Sequence, residues 1–560
     1  PREESLKTAK PLTLALLLML APLPALAADY STANVPVDDP VYRDIDRLVG
    51  LGLARDVIYG QRPWSRGEIA RIIAAAVKKQ RAQGPVLAPD EREIGLRIGT
   101  DDLLERLERD YREELVQLGA AEGDRKTFSL HPLSYVEGGY TFLDSEARPV
   151  PDNGLGPVDA RIEPLSAYRE GRRYPDGHQL ALETEHRLRA GRFFSFYLRP
   201  RLQFDVTHGG DASVHPYVQQ LYAKFAVPHF ELLAGRDSIE WGQGEFGGIL
   251  LSNNARPLDM IKVSNPSPSI LPWIFRYIGP IRYTLFAANL GPEREFPHSF
   301  LTGFKVNLKP VSFFEVGLSQ LVMMGGDGSP SLSFGRAVSE FFGFRGNTRG
   351  VENVANRETG FDFRFYLPFL RNTQLYWELQ FEDVYHDRTF MITDLANHQA
   401  GIYIPRLNNE GTMALRLEYR HGSPYFYRHG TFRTGMALNG RLWGDELGPQ
   451  ADGAYVTFTH DPSERLRLTW NFRYERRDGD VLLELLDPDG GNRRLTVVTP
   501  APAEHRIAAH IRGDYLVRPL NPKIRLRLEL GYERILSFNF VQGDGRNGFL
   551  TGASARFDLF

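Results

Sequence analysis

The chain has 560 residues, 67 basic against 70 acidic side chains, and no cysteine. Near-zero net charge gives no electrostatic reason for a nucleic-acid partner. The missing cysteines remove disulfides, thiolate zinc sites and a lipid anchor on cysteine. After the first thirty residues no apolar run approaches the roughly 18–20 residues of a spanning helix, which excludes a helical membrane protein.

Residues 1–27 read as a signal peptide. Lys7 and Lys10 precede an apolar stretch from Leu12 to Leu20, and Ala25-Leu26-Ala27 supplies a small-x-small cleavage site before Ala28. Residues 28–126 read as a helical module. Val41, Ile45, Leu48 and Val49 recur at helical spacing after Asp38-Asp39-Pro40. Ser65 is expected to cap a second helix carrying Ile69, Ile72, Ile73 and Val77, with Glu68 completing a capping box, and a third helix is expected from about Asp90 to Leu118.

From 127 to 560 the period changes to two. Ile524, Leu526, Leu528, Leu530 and Tyr532 alternate with Arg525, Arg527, Glu529, Gly531 and Glu533, and the stretches 361–367, 415–420 and 465–475 repeat the pattern. A soluble sandwich alternates in the same way, so connection lengths decide. Short connections near 190–191, 228–229, 309–310, 369–372, 407–411, 461–463 and 518–522 alternate with long polar ones near 144–178, 324–357, 422–451 and 477–503. That asymmetry belongs to outer-membrane barrels. Strand starts near 128, 179, 192, 216, 229, 258, 281, 300, 311, 358, 373, 398, 412, 452, 464, 504, 523 and 548 make an even count that returns the chain to the periplasmic side.

The expected fold is therefore mainly β: a transmembrane antiparallel β-barrel of about 18 strands, preceded by a small periplasmic α-helical bundle. The expected location is the outer membrane of a Gram-negative bacterium, with the long loops extracellular. Phe560 is the kind of terminal aromatic that barrel-insertion machinery reads, although it falls out of phase with Ala553, Ala555, Phe557 and Leu559. Arg and Glu occur in similar number on the inner faces. They could line a pore or pair across strands, and we expect a pairing-rich, largely occluded interior.

Trp241-Gly242-Gln243-Gly244, followed by Gly247-Gly248-Ile249-Leu250-Leu251-Ser252-Asn253-Asn254-Ala255-Arg256-Pro257, resembles the signature of the capsule-assembly Wzi family. Asn34-Val35-Pro36-Val37-Asp38-Asp39-Pro40-Val41-Tyr42 is similar to the start of that family's mature chain. Tyr427-Arg428-His429-Gly430, through Gly435, Gly440 and Gly448 to Asp452, is a looser match. The resemblance implies an eighteen-stranded barrel with a periplasmic bundle, acting as a surface lectin that helps attach capsular polysaccharide or exopolysaccharide. The expected partners are outer-membrane lipid, that polysaccharide, the barrel-insertion machinery and polysaccharide export proteins. Arg62 to Ala70 is also similar to the core of surface-layer-homology modules, but a helix cap explains it more simply.

The Trp241 to Pro257 motif has two readings: a sugar site, or an inward brace in which Asn side chains satisfy backbone groups. Bracing fits its small and amide residues better. For glycan contact the candidates are exposed rings in the 422–451 loop, Tyr425, Tyr427, Arg428 and Trp443, near Phe426, Arg433 and Arg441, and the equal alternative is that these rings pack within their own loop or, for some, form a lipid-interface belt. No catalytic residue, metal or cofactor is expected. His386-Asp387 and His460-Asp461 are sequence neighbours whose side chains point to opposite faces of a strand. The alternative from another class is a porin for polar solutes.

Overall fold

The period-two segments form eighteen strands of one closed antiparallel barrel in the computed structural model. It describes residues 31–82, 91–145, 147–342, 354–382, 396–486, 493–517 and 523–559. The signal-peptide stretch, Phe560 and the His386-Asp387 pair lie outside the described residues. The first six strands are Phe128–Asp144 (β1), Gly177–Ala190 (β2), Phe194–Thr207 (β3), Ala212–Val227 (β4), Phe230–Asp237 (β5) and Leu258–Ser264 (β6). Pro280–Asn289 (β7), Phe300–Val311 (β8), Phe314–Met324 (β9), Ala355–Leu367 (β10), Thr373–Glu382 (β11) and Asn397–Ile404 (β12) continue the wall. Met413–Gly422 (β13), Ala451–Ser463 (β14), Leu466–Arg477 (β15), Glu504–Val517 (β16), Lys523–Leu536 (β17) and Gly545–Asp558 (β18) complete it. Neighbours in the chain are neighbours in the wall, and β18 closes on β1 with Asp558 opposite Tyr135.

Most short turns gather at one end and most long connections at the other, as the sequence predicts; the 208–211 turn at the long-loop end and the 265–279 connection at the short-turn end depart from it. Two turns fall slightly later than expected. The turn after β8 is at 312–313 because Lys309 stays in the strand and donates inward to the Val57 carbonyl at 3.1 Å. The turn after β14 is at 464–465 because Asp461-Pro462-Ser463 continue that strand across a register shift. Alternation gives the wall two chemistries. On β17, Leu526, Leu528, Leu530 and Tyr532 are exposed on the outer face, while Arg527 turns inward with Nε 2.7 Å from Asp514.

Before the barrel come Val41–Gly50 (α1), Arg66–Ala82 (α2), Glu91–Asp110 (α3) and Arg112–Leu118 (α4). No helix among the described residues is long and apolar enough to cross a membrane. α3 and α4 replace the single helix expected over 90–118. The break is at Tyr111, whose ring lies 4.4 Å under the Arg66 guanidinium, and Arg66 also takes the Asp110 carbonyl at 2.9 Å. Ser65 does cap α2, its Oγ accepting from the Glu68 amide at 3.1 Å. Glu68 does not close the box: its carboxylate takes Arg282 of β7 at 2.5 and 2.6 Å, because a buried guanidinium is costly without a counter-charge.

The helices sit on the short-turn end of the barrel. Asn372 Nδ2 donates to the Gly50 carbonyl at 2.9 Å, Arg47 meets Glu464 at 2.5 Å, and Arg189 meets Glu113 at 3.1 Å. Asp44 holds both Arg106 of α3 and Arg467 of β15, each at 2.9 Å. Ile45, Leu48, Trp64, Ile69, Ile73 and Leu107 form the apolar core among the helices, which Tyr366 of β10 joins from the wall.

Replacing Glu68 with Ala should leave Arg282 buried without its carboxylate, a loss of about 3–5 kcal/mol for a broken buried pair. The expected result is faster protease cleavage within 31–118 of the folded barrel, with Glu68→Gln intermediate. Wild-type protection in Glu68→Ala would show that this pair does not hold the helices in place.

Candidate functional site

After β5 the chain turns into the lumen instead of outward. Glu240–Trp241 pairs antiparallel with Gln61–Arg62 of the helical region, Gln61 opposite Trp241 and Arg62 opposite Glu240. A segment entering from the short-turn end thus meets one entering from the long-loop end. Gly242 makes the approach possible. It has φ +132°, donates to the Gly60 carbonyl at 3.0 Å, and a Cβ there would overlap Gly248 and the Glu378 carboxylate. Gly244 is equally confined, against Gln399. Gln243 links the segment to the wall, Nε2 on Asp362 at 2.6 Å and Oε1 accepting from Arg364 at 2.6 Å.

The remaining motif residues brace the loops. Trp241 is buried edge-on to Phe286 at 5.4 Å. The Asn253 carbonyl accepts from the Glu170 amide at 2.6 Å. Asn254 Nδ2 donates to the Leu442 carbonyl at 2.9 Å, and its Oδ1 accepts from the Tyr168 amide at 3.3 Å. Arg256 Nε reaches Asn439 Oδ1 at 2.8 Å. Pro257 leads into β6.

The 422–451 loop corrects an expectation. Tyr427 and Trp443, expected as exposed rings, are 0% and 2% exposed. Both pack with Trp241, Ile249 and Leu251 in one apolar cluster. The Tyr427 hydroxyl donates to the Ile249 carbonyl and accepts from the Asp445 amide at 2.5 Å. Arg428 is buried as well, donating to the Pro151 carbonyl at 2.6 Å and to that of Gly156. Tyr425 is partly exposed. The reason is area: large rings gain most by covering apolar surface, and the inward 238–257 segment offers that surface inside the barrel. Tyr427 and Trp443 therefore have no face open to a sugar.

What opens to the long-loop end is a vestibule of about 820 Å³. Arg161, Arg173 and Tyr174 enter it from the 145–176 connection, His215 and Tyr217 from β4, and Arg256 and Pro257 from the motif. The 438–441 tip of the folded loop, with Asn439 and Arg441, lines the opposite side. The sequence flagged that loop but pointed to its rings, whereas at the vestibule its exposed residue is Asn439, with Arg441 buried against Glu163. It missed Arg173 and Tyr217, because one exposed Arg in a long polar connection and one Tyr in a strand carry no distinguishing pattern.

The guanidinium groups are only partly neutralised. Arg441 pairs with Glu163, and Arg236 and Arg256 share Asp259 at 2.7 and 3.2 Å. Arg161 donates to the Ala147 carbonyl at 2.9 Å, an uncharged acceptor, and Arg173 is exposed. Leu165 and Tyr174 form the floor, and beneath it lies a smaller charged chamber of about 320 Å³. The floor is held by Arg169 on Glu529 at 2.5 Å and by Arg172 on Asp38 at 2.9 Å. Burial would raise the Tyr174 phenol, but Arg169, Arg201 and Arg172 outweigh it and hold it below its ordinary value.

Asp144, Asp176 and His208 bring three ligating atoms within 4.8 Å of one another at the rim. In this structure they form an ion pair, His208 to Asp176 at 2.9 Å. Asp461 is committed to Arg467 at 2.8 Å and offers His460 no partnership. This arrangement suits multivalent hydrogen bonding to a polar ligand.

Residues 158–549 match the family described as capsule assembly protein Wzi. The match includes the 241–257 and 427–452 motifs and begins after the one at 34–42. An uncharacterized 55.8 kDa protein in the cps region of Klebsiella pneumoniae is 29% identical over 133 residues, 23% of this chain. The chain thus spans only 25% of that relative's length. Among solved structures, Wzi of Escherichia coli is an outer membrane protein involved in group 1 capsule assembly and a carbohydrate-binding β-barrel. It superposes with a TM-score of 0.63 at 17% identity, covering 94% of this chain and 99% of that one, and shows that the fold is shared. OccD3 (OpdP) of Pseudomonas aeruginosa gives a TM-score of 0.42 at 12% identity over 78% and 92% of the two chains.

The folded loop generates a pH prediction. Burial pulls the His429 imidazole down to about 4, and its neutral Nδ1 accepts from the Thr431 and Phe432 amides, each at 3.1 Å. The unfolded loop would protonate near 6.5, so this contribution is fully present above that pH and is lost as pH falls towards 4, by about 2 kcal/mol at pH 5. Cleavage within 423–450 by an acid-tolerant protease should accelerate between pH 7.5 and pH 5 in the wild type and change less in His429→Asn. Equal acceleration in both would locate the effect elsewhere.

Proposed function

The chain belongs to the capsule-assembly Wzi family, and on that premise we propose that it is an outer-membrane lectin that holds capsular polysaccharide or exopolysaccharide at the cell surface and assists its assembly and attachment. In this reading the short-turn end with its helices faces the periplasm and the vestibule faces outward. The observation that carries the reading is the vestibule itself: an outward, polar, ring-bearing cavity standing on a floor above a smaller charged chamber. Arg161, Arg173, Asn439 and Arg441 would bond sugar hydroxyls or carboxylates, and Tyr217 would offer a ring to a sugar's apolar face. The protein binds its glycan and does not transform it. The barrel-insertion machinery would place it in the membrane, and polysaccharide export proteins are the proposed partners of its periplasmic helices.

The porin alternative needs a continuous water path. Against it stand the paired segments Gln61–Arg62 and Glu240–Trp241 across the lumen. Planar-bilayer recordings of the reconstituted barrel should stay silent, and stable open channels would return the protein to the porin class.

Deleting the gene should release polysaccharide into the medium without stopping its synthesis. Tyr217→Ala and Arg173→Ala should each weaken binding of the purified barrel to the host's own surface polysaccharide, about fivefold for a contact worth about 1 kcal/mol, with heat-modifiable migration unchanged. Wild-type binding by a double variant would remove the vestibule from the site.

A further inference from the structure

One helix of the long-loop end lies outside the barrel. β9 turns Ser319, Leu321 and Met323 towards the lumen, so Gln320, Val322 and Met324 face outward. Yet Val322 and Met324 are buried. Their cover is Phe334–Phe341 (α5) and the residue leading into its cap, since both cluster with Ala355, with Leu332 ahead of the helix and with Ala337 on it. Phe341 meets outward-facing Phe304 of β8 edge-on at 5.8 Å. The helix also satisfies two polar groups on this outer wall: Arg357 of β10 reaches the Glu340 carboxylate at 2.6 Å and its carbonyl at 2.9 Å, and Gln320 donates to the Phe341 carbonyl.

An exposed flank of the helix is apolar. Phe334, Val338 and Phe342 follow at four-residue spacing, and Phe334 is 86% exposed, the highest value among the described large apolar residues. Its charges, Arg336 and Glu340, are turned to each other at 3.9 Å. Beside it on the same wall, Phe300 and Leu318 are exposed apolar residues of the outer belt. Gln320 is four residues from the long-loop end of β9, about 13 Å along the strand, a distance shorter than one leaflet's half of an apolar core of about 30 Å.

We propose that α5 is an interfacial anchor whose Phe334, Val338 and Phe342 stripe seats among acyl chains of the outer leaflet while its inner face shields Arg357 and Gln320 from them. The inference rests on the outer-membrane reading above. It commits to lipid as the occupant because the stripe continues the exposed apolar belt of the wall and carries no charge.

The chain has no cysteine, so a single introduced one can be labelled uniquely. Phe334→Cys and Val338→Cys, with Leu318→Cys on the bare wall and Asp211→Cys in a long-loop-end turn as references, would carry an environment-sensitive fluorophore. Each would be reconstituted in phosphatidylcholine vesicles with and without lipids bearing a nitroxide on the acyl chain. The labels at 334 and 338 should lose about twofold or more of their emission, as at 318, while 211 is unaffected. Quenching at 318 but not at 334 or 338 overturns the anchor and leaves the membrane reading standing. Oxidative cross-linking of Phe334→Cys between two copies without quenching overturns it in favour of self-association. An unquenched label at 318 overturns the membrane reading and the anchor together.

Discussion

Most arginines turned into this barrel find a carboxylate, although Arg364 is satisfied by Gln243 and Gln374 instead, and that pairing organises the interior. Taking an ion out of water costs several kcal/mol unless an opposite charge and hydrogen bonds replace the solvent. Arg199 of β3 shows how this is met. Its guanidinium lies 2.6 Å from Glu183 on the neighbouring strand, 3.1 Å from Glu170 in a long connection and 3.3 Å from Asp38 ahead of the first helix. One side chain thus ties together wall, loop and N-terminal segment. Arg416 repeats the theme with Glu245 of the inward segment and Asp46 of α1, and Arg420 with Asp445 of the folded loop.

Because many of the partners come from outside the wall, helices and loops enter the lumen. The helices supply Asp44, Glu68 and Glu113 from one end, and the loops supply Glu170, Glu245 and Asp445 from the other. Where the two sets meet, Gln61–Arg62 and Glu240–Trp241 form a short antiparallel bridge. The large rings of the loops pack beside it, which removes them from the surface and leaves Arg, Asn and Tyr side chains around the outer cavity. A barrel of porin-like strand number becomes a wall with a receptor cavity on one end.

The sequence motif at 241–257 belongs to both halves of this design. Its glycines permit backbone to approach backbone at the bridge, its Asn254 satisfies a loop carbonyl and a loop amide, and its last residues, Arg256 and Pro257, emerge in the vestibule. The 422–451 loop shows the converse. Its rings looked like ligand contacts because an aromatic residue in a polar loop has the same composition whether it faces water or a buried cluster.

The sequence by itself determined the wall. A strict two-residue period sets which side chains face out, and turn residues set where strands reverse, so both strand number and the end carrying the short turns were legible in local pattern. Every observed strand begins within four residues of its expected start. Ser65 as a cap was legible for the same reason, since a cap is a contact between residues three apart. The tertiary structure alone decided where the inward side chains and loops go. Glu68 answers Arg282, 214 positions away, and Tyr427 bonds Ile249, 178 positions away. Such choices depend on which charges and apolar surfaces closure of the barrel brings together, and no local period records them.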